Sequence, residues 1–145
     1  MESKLSPSAA FGDLLLAAAA RRAELAQTYL TAPTVQALLG IDQNTLMAWR
    51  EDKRLLGVWH ETNTAWLYPD FQFDQNGLIE HMPRILAVFD KYYSHVWKDT
   101  WGIVEWFLSP HALLDDRRPM DLMATSPQFV LRAALVELGE DPTTY

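Results

Sequence analysis

The stretch LLGIDQNTLMAWREDKRLLG, residues 38–57, has the pattern of a helix-turn-helix. Gly40 suits the left-handed conformation that ends a helix, and Asp42 just after it is a good N-cap for a second helix. Before it, Thr31 caps a first helix with Pro33 in its first turn. The apolar stripe of that first helix consists of Val35, Leu38 and Leu39. Two short helices joined by a tight turn that contains glycine have helix-turn-helix geometry.

The second of these helices begins with a polar turn that suits a DNA major groove. Amide side chains pair with adenine edges and methyl groups contact thymine, whereas cations bind phosphates. We therefore predict base contacts for Gln43, Asn44, Thr45 and Met47, and phosphate contacts for Arg50, Lys53 and Arg54. The alternative is a helical hairpin inside a core. An inward-facing Trp49 behind a polar first turn favours the DNA-binding interpretation, although Glu51 and Asp52 argue against strong affinity for phosphate.

The charge of the chain is unevenly distributed. The formal net charge is -7, yet residues 1–58 hold six basic and six acidic side chains. Residues 59–145 hold six basic and thirteen acidic ones. The helix-turn-helix is therefore locally neutral, and the acidic excess points to a second partner for the C-terminal part.

The remaining pattern predicts a mainly α fold. An alanine-rich N-terminal helix over residues 8–29 is the candidate for self-association, and its apolar residues at helical spacing are Phe11, Leu14, Leu15, Ala18 and Leu25. A short β-hairpin wing, residues 55–69 with a turn at 61–64, follows the helix-turn-helix. A small C-terminal helical domain has helices starting near Pro83, Asp99 and Ser126. The predicted domains are 1–30, 31–74 and 75–145.

Several functional classes are excluded or disfavoured by composition. The absence of cysteine excludes disulfides, thiolate metal sites and a cysteine nucleophile. The four histidines lack metal-ligand spacing, and the acid pair Asp115–Asp116 is better interpreted as a solvated loop paired with the arginines that follow it. No apolar run reaches the ~20 residues of a membrane span. We expect a cytoplasmic, non-membrane protein with no catalytic residues, metal or cofactor.

Aromatic residues are dense between positions 89 and 107. Helical spacing assigns most of them to a core. Whether one of Trp97, Trp101 and Trp106 faces a protein partner stays open, because tryptophan is also enriched at interfaces.

Residues 106–139, WFLSPHALLDDRRPMDLMATSPQFVLRAALVELG, resemble the toxin-binding domain of the Xre/MbcA/ParS antitoxin family. The residues at the matching places are Trp106, Pro110, Leu114, Pro119, Leu122, Val130 and Ala134. Two features depart from the pattern: Asp115 and Asp116 replace small residues in the loop, and TSPQFV replaces a glycine-bearing helix entry. The segment FQFDQNGLIEHMPRILAVF, residues 71–89, resembles the linker of members that begin with a helix-turn-helix.

The resemblance implies an antitoxin, paired with a RES-domain toxin that degrades NAD or uses it to ADP-ribosylate a target. The C-terminal region would cover the toxin's NAD pocket, and the helix-turn-helix would repress the shared promoter as part of a dimer or larger complex. We place the toxin contacts at Trp106, Pro110, Arg117 and Arg118. The acidic C-terminal part offers Glu137, Glu140, Asp141 and the Tyr145 carboxylate as candidates for a plug of that pocket, and the alternative for these residues is a solvated, frayed tail. An acidic plug is complementary to a pocket that selects pyrophosphate. The alternative is a free-standing transcription regulator whose C-terminal domain dimerises or senses a ligand.

Overall fold

The computed structural model describes residues 7–93 and 100–138 and is mainly helical, with a small antiparallel sheet. The helices are α1 Pro7–Ala26, α2 Ala32–Leu39, α3 Gln43–Glu51, α4 Met82–Tyr93, α5 Trp101–Leu108, α6 Pro119–Leu122 and α7 Pro127–Glu137. The strands are β1 Leu30–Thr31, β2 Val58–His60, β3 Ala65–Tyr68, β4 Phe73–Asp74 and β5 Gly77–Leu78, with 3-10 turns at Asp70–Gln72 and Ala112–Leu114. The predicted mainly α fold with a β-hairpin is confirmed.

The helix-turn-helix forms through caps that are adjacent in sequence. The Thr31 hydroxyl accepts a hydrogen bond from the Thr34 N–H at 3.4 Å at the start of α2. Gly40 ends α2 with φ 65°, and the Asp42 carboxylate accepts from the Thr45 N–H at 2.8 Å to start α3. Because each cap needs only local residues, the sequence pattern predicts the ends of both helices to within one or two positions.

The wing is a hairpin extended to a three-stranded sheet in the order β1-β3-β2. Val58 lies opposite Leu67 across the hairpin, and the turn at 61–64 forms where predicted. Strand β1 pairs Leu30 with Tyr68 on the other side of β3. This strand was not predicted, because two residues before a helix cap carry no alternating pattern.

The N-terminal helix differs from its prediction. It ends at Ala26 rather than 29, since residues 27–29 form a turn in which the Thr28 hydroxyl donates to the Leu25 carbonyl at 3.0 Å. Of the residues at helical spacing, Leu14 and Leu15 are 68% and 56% exposed, and Ala18 is exposed as well. The helix is anchored near its C-terminal end, where Ala26 is buried and α1 contacts β2. Leu38, assigned to the apolar stripe of α2, is also exposed.

Buried side chains form two clusters. A small one inside the helix-turn-helix and wing comprises Val35, Leu46, Leu55 and Tyr68. The larger one joins the other face of the wing to α4, α5 and α7, through residues such as Val58, Ile85, Phe107 and Ala134. The sheet therefore supports the helix-turn-helix on one side and the C-terminal helices on the other.

A buried glutamine fixes the segment between these clusters. Gln72 is fully buried; its Oε1 accepts from the Leu56 N–H at 2.7 Å, and its Nε2 donates to the carbonyls of Leu56 and Pro69 at 2.7 and 3.0 Å. The amide satisfies backbone groups that no strand pairs, which removes the cost of burying them. Further along, the Thr100 hydroxyl donates to the Gly57 carbonyl at 2.6 Å and ties the start of α5 to the wing.

No helix among residues 7–93 and 100–138 is both long and apolar enough to cross a membrane.

Candidate nucleic-acid interface

Helix α3 turns a continuous exposed stripe away from the small core. Leu46 is buried, whereas Asn44, Met47, Ala48 and Glu51 are exposed at i, i+3, i+4 and i+7 spacing. Gln43 is exposed beside this stripe, and Thr45 is half-buried. We call Gln43, Asn44, Met47, Ala48 and Glu51 the reading face. Gln43, Asn44 and Met47 are predicted base readers, and all three have room to reach a groove.

The start of the reading face is held by an ionised cap. The hydroxyl and the backbone N–H of Thr45 both face the Asp42 carboxylate, and these hydrogen bonds lower the pKa of Asp42 below its ordinary value. A carboxylate at a helix N-terminus also faces the positive end of the helix dipole. The first turn of α3, which presents Gln43 and Asn44, is therefore fixed in direction.

Arg50, predicted to bind phosphate, is used inside the molecule. Its Nη1 donates to the Tyr68 hydroxyl at 3.0 Å, and its guanidinium carbon lies 4.3 Å from the centre of the Trp66 ring. The side chain crosses Gly57, where an added Cβ would lie only 2.8 Å from Arg50 Cδ. Arg50 thus links α3 to the wing through a hydrogen bond and a cation–π contact.

The other two predicted phosphate-binding residues follow the end of α3. Lys53 takes a positive φ of 61°, and its ammonium forms an ion pair with Asp90 of α4. Arg54 is exposed, with its guanidinium carbon 5.9 Å from the Trp49 ring. Glu51 and Asp52 are exposed close by. The electrostatic attraction of this surface for phosphate is therefore modest.

The wing offers polar and aromatic groups beside the reading face. The exposed turn at its tip comprises Glu61, Thr62, Asn63 and Thr64, and no cation. Behind the tip, Trp59 and Trp66 form an edge-to-face pair with ring centres 5.5 Å apart. The wing can therefore touch a DNA backbone through hydroxyl, amide and main-chain groups.

The fold has a counterpart among solved structures. The chain shares the fold of Rv2175c. That structure, determined by NMR, superposes with a TM-score of 0.63 over 76% of this chain and 80% of its own, at 19% sequence identity. At this identity the likeness shows a common fold. No family model matches the chain, and no curated protein matches its sequence.

Two of the residues assigned to toxin contact hold the C-terminal helices together. The Trp106 Nε1 donates to Glu137 Oε2 at 2.7 Å, and His111 Nδ1 lies 2.7 Å from Glu137 Oε1. The other ring nitrogen of His111 lies 2.9 Å from the Trp106 carbonyl. Glu137 is therefore bound to its own chain, and Trp106 is half-buried against Phe89 and Phe107. Sequence reasoning missed this cluster because 26 positions separate His111 from Glu137.

The other residues of that assignment lie at the surface or outside the described ranges. Pro110 and Arg117 are exposed, with Arg117 Nη2 3.9 Å from Asp115 Oδ2. Arg118 binds Asp121 through two hydrogen bonds of 2.8 and 3.0 Å, and this carboxylate raises the pKa of Arg118. Residues Glu140, Asp141 and Tyr145 lie outside the described residues.

Further observations concern the tryptophans and the histidines. Trp101 is buried and its Nε1 donates to the Trp59 carbonyl at 2.9 Å, while Trp97 lies outside the described residues. Within residues 7–93 and 100–138, no three acidic or histidine side chains group as metal ligands would. The ring nitrogens of His60 are buried without a hydrogen-bond partner in the same ranges.

Proposed function

We propose that this protein is a sequence-specific DNA-binding regulator of the winged helix-turn-helix type. The observation that carries the proposal is the reading face: a capped helix with a buried side and an exposed side that begins with two amides, continues with Met47 and Ala48 and ends at Glu51. That is the geometry of a recognition helix in a major groove. The wing, fixed to α3 by Arg50, would contact the adjacent backbone.

The electrostatics favour binding by two copies. Phosphate contacts dominate affinity for DNA, and this surface pairs one cation internally with Asp90 and places Glu51 and Asp52 near the others. A dimer on two half-sites doubles every contact, including the contacts made by the exposed cation Arg54. The exposed leucines of α1 are the surface proposed for that self-association.

The test is a pair of glutamine substitutions measured on two duplexes, one from the region upstream of the gene and one with the same bases scrambled. Gln43→Ala should lower affinity for the upstream duplex by about fivefold to a hundredfold and leave the scrambled duplex almost unaffected, since one base contact is lost. The matched control is Gln128→Ala, an exposed glutamine on α7. Equal loss on both duplexes would remove Gln43 from base reading, and no binding of either by the wild type would end the DNA-binding proposal.

We further propose that the protein is the antitoxin of a type II toxin–antitoxin system, acting in the cytoplasm on a RES-type, NAD-consuming toxin. The support is the resemblance of residues 106–139 and the two-part construction, with a DNA-type surface on α3 and a separate helical unit behind it. Neutralisation would be steric and electrostatic, by covering the toxin's active site, with no chemical step by this chain. The helix-turn-helix would repress the shared promoter.

Co-expression with the product of the neighbouring gene tests this role. The neighbouring product alone should arrest growth and deplete NAD, and co-expression of this chain should restore both. If the neighbouring product is harmless, or if it stays toxic beside this protein, the antitoxin proposal fails. The free-standing regulator with a sensing or dimerising C-terminal domain would then be the remaining function.

A further inference from the structure

A groove of about 430 Å³ lies between α1 and the wing, a volume in the range of small-molecule sites. Along most of its α1 side, Ala18, Ala19 and Ala23 carry only methyl groups. On the wing side Trp59, which is 39% exposed, contributes an indole ring. Trp101 of α5 also lines the groove; it belongs to the main core, the larger of the two buried clusters, and to the C-terminal unit, helices α4–α7. We call this space the α1–wing groove.

His60 of β2 lines the same groove and brings two orphaned polar atoms to it. Both of its ring nitrogens, Nδ1 and Nε2, are buried, and among the described residues neither has a hydrogen-bond partner. A buried polar group left in this way costs free energy, and native proteins pair nearly all such groups. The orphaned nitrogens therefore indicate that the occupant of the groove carries a hydrogen-bonding group.

The chemistry of the lining residues selects the kind of occupant. A neutral imidazole offers one donor and one acceptor; a carboxamide complements both, whereas a carboxylate offers acceptors only. Arg22 and Glu61 line the groove with opposite charges. Their charges offset each other, and burying an ion against apolar walls is costly, so a neutral molecule fits better than an ion. The indole of Trp59 favours a planar aromatic ring over a saturated ring of the same size.

The α1 helix of a second copy fits this groove less well. Residues 14–20 of α1, LLLAAAA, include the leucines proposed for self-association. None of these residues has a polar side chain, so packing this segment into the groove would leave the His60 nitrogens without a partner. Leu14 and Leu16, 68% and 71% exposed, lie outside the groove and can pair with a second copy while the groove is occupied.

We propose that the α1–wing groove binds a small, neutral, planar aromatic molecule that carries a donor and an acceptor on one edge. The ring packs on Trp59, and the polar edge pairs with His60. Glu61 and Thr62, which also line the groove, belong to the exposed tip of the wing. A bound molecule therefore fixes the tip before DNA arrives and raises the affinity for DNA, because less ordering is then required on binding. This effect on DNA rests on the proposed DNA-binding function, whereas the binding site itself does not.

The experiment titrates the full chain with benzamide and follows the indole N–H signals of the tryptophans by NMR. Benzamide should bind with a dissociation constant of about 1 mM or below, an affinity that a one-ring ligand can reach. Two related probes should each bind at least about fivefold more weakly. Cyclohexanecarboxamide keeps the amide and loses the aromatic ring, whereas benzoate keeps the ring and replaces the amide with a carboxylate.

Two variants test the two sides of the groove. His60→Phe keeps an aromatic ring and removes both nitrogens, so it should weaken benzamide binding by about tenfold. Ala19→Phe places a phenyl ring in the groove and should abolish binding. The matched control is Ala20→Phe, because Ala20 is an exposed alanine of the same helix that lies outside the groove. It should bind benzamide as the wild type does.

The effect on DNA is measured with the upstream duplex. Saturating benzamide should raise the affinity of the wild type for this duplex by about threefold, and the duplex should raise the affinity for benzamide by the same factor, because coupling between two binding sites is reciprocal. The Ala19→Phe protein should show neither change.

The outcomes separate the binding site from the function beside it. The absence of a saturable shift with benzamide, or equal binding of the three probes, would overturn the proposal. Equal benzamide binding by folded Ala19→Phe and His60→Phe proteins would place the probe outside the groove and overturn it as well. If benzamide binds and duplex affinity does not change, the effect on DNA is wrong and the site stands. If the wild type binds no duplex, the DNA-binding proposal fails, and the benzamide titration alone decides the groove.

Discussion

Helices α3 and α7 both expose a stripe at the same helical spacing, but the stripes differ in chemistry and in what supports them. The stripe on α3 presents Asn44, Met47, Ala48 and Glu51, with Gln43 beside it, and rests on a small core that contains Leu46. The stripe on α7 presents Phe129, Arg132 and Val136 and rests on the main core. Polar edges suit a groove of bases, whereas an apolar stripe with arginine at its rim suits a protein. One chain thus offers two surfaces whose supports are largely separate.

The largest expected effect tests whether the two supports are separable. Leu46→Ala should cost about 3 kcal/mol of the free energy of unfolding of the helix-turn-helix, because Leu46 is buried in the small cluster and its truncation leaves a cavity there. Duplex binding should be lost while binding of the neighbouring product persists. Urea unfolding measures the free energy of global unfolding. Hydrogen exchange measures the free energy of local opening separately in the helix-turn-helix and in the C-terminal helices.

The control is Ile85→Ala, which removes a comparable volume from the main core. It should impair both binding activities, since that core supports the wing and the C-terminal helices together. Loss of both activities in Leu46→Ala would show that the two surfaces depend on one cooperative core. The statement that their supports are largely separate would then be wrong.

The two regions also differ in how far the sequence predicts them. Thr31, Gly40 and Asp42 cap helices whose first turns they adjoin, so the helix-turn-helix can be inferred from local rules. The C-terminal unit depends on pairs far apart in sequence, such as Trp106 with Glu137 and Leu114 beside α7. Periodicity there predicts helices but not which exposed residues meet.

Site residues follow the same division. The exposure of Gln43, Asn44 and Met47 follows from helical phase, which residues 38–57 already contain. The internal contacts of the basic residues depend on the packed fold. Arg50 binds Tyr68, 18 positions away, and Lys53 binds Asp90, 37 positions away. From sequence alone, a basic residue near this helix is predicted to bind phosphate. That prediction cannot take into account an internal partner that only the packed fold brings close.

The next effect concerns Arg50 as the link between recognition helix and wing. Arg50→Met keeps the packing stem and removes the guanidinium, so affinity for the upstream duplex should fall about tenfold while its salt dependence stays unchanged. Arg54→Met should make log K less dependent on log salt by about 0.9, the value of one phosphate contact. Titrations between low and moderate salt measure both slopes. If Arg50→Met shows the same reduction, Arg50 contacts phosphate directly, as the sequence alone predicts.

The smallest effect joins the two regions through the ion pair of Lys53 with Asp90. The Asp90 carboxylate pairs with the Lys53 ammonium, which would otherwise be available to a DNA phosphate. Asp90→Asn should therefore raise the affinity for any duplex by about twofold to fivefold, which corresponds to the free energy of an exposed ion pair. Asp52→Asn removes the same charge without releasing Lys53 and should give a smaller gain. In a Lys53→Ala background Asp90→Asn should gain no more than Asp52→Asn, because the coupling between the two sites is then absent. Equal gains for Asp90→Asn with and without Lys53 would mean that Asp90 acts only through general repulsion, and the C-terminal unit would then have no direct effect on the availability of Lys53 to DNA.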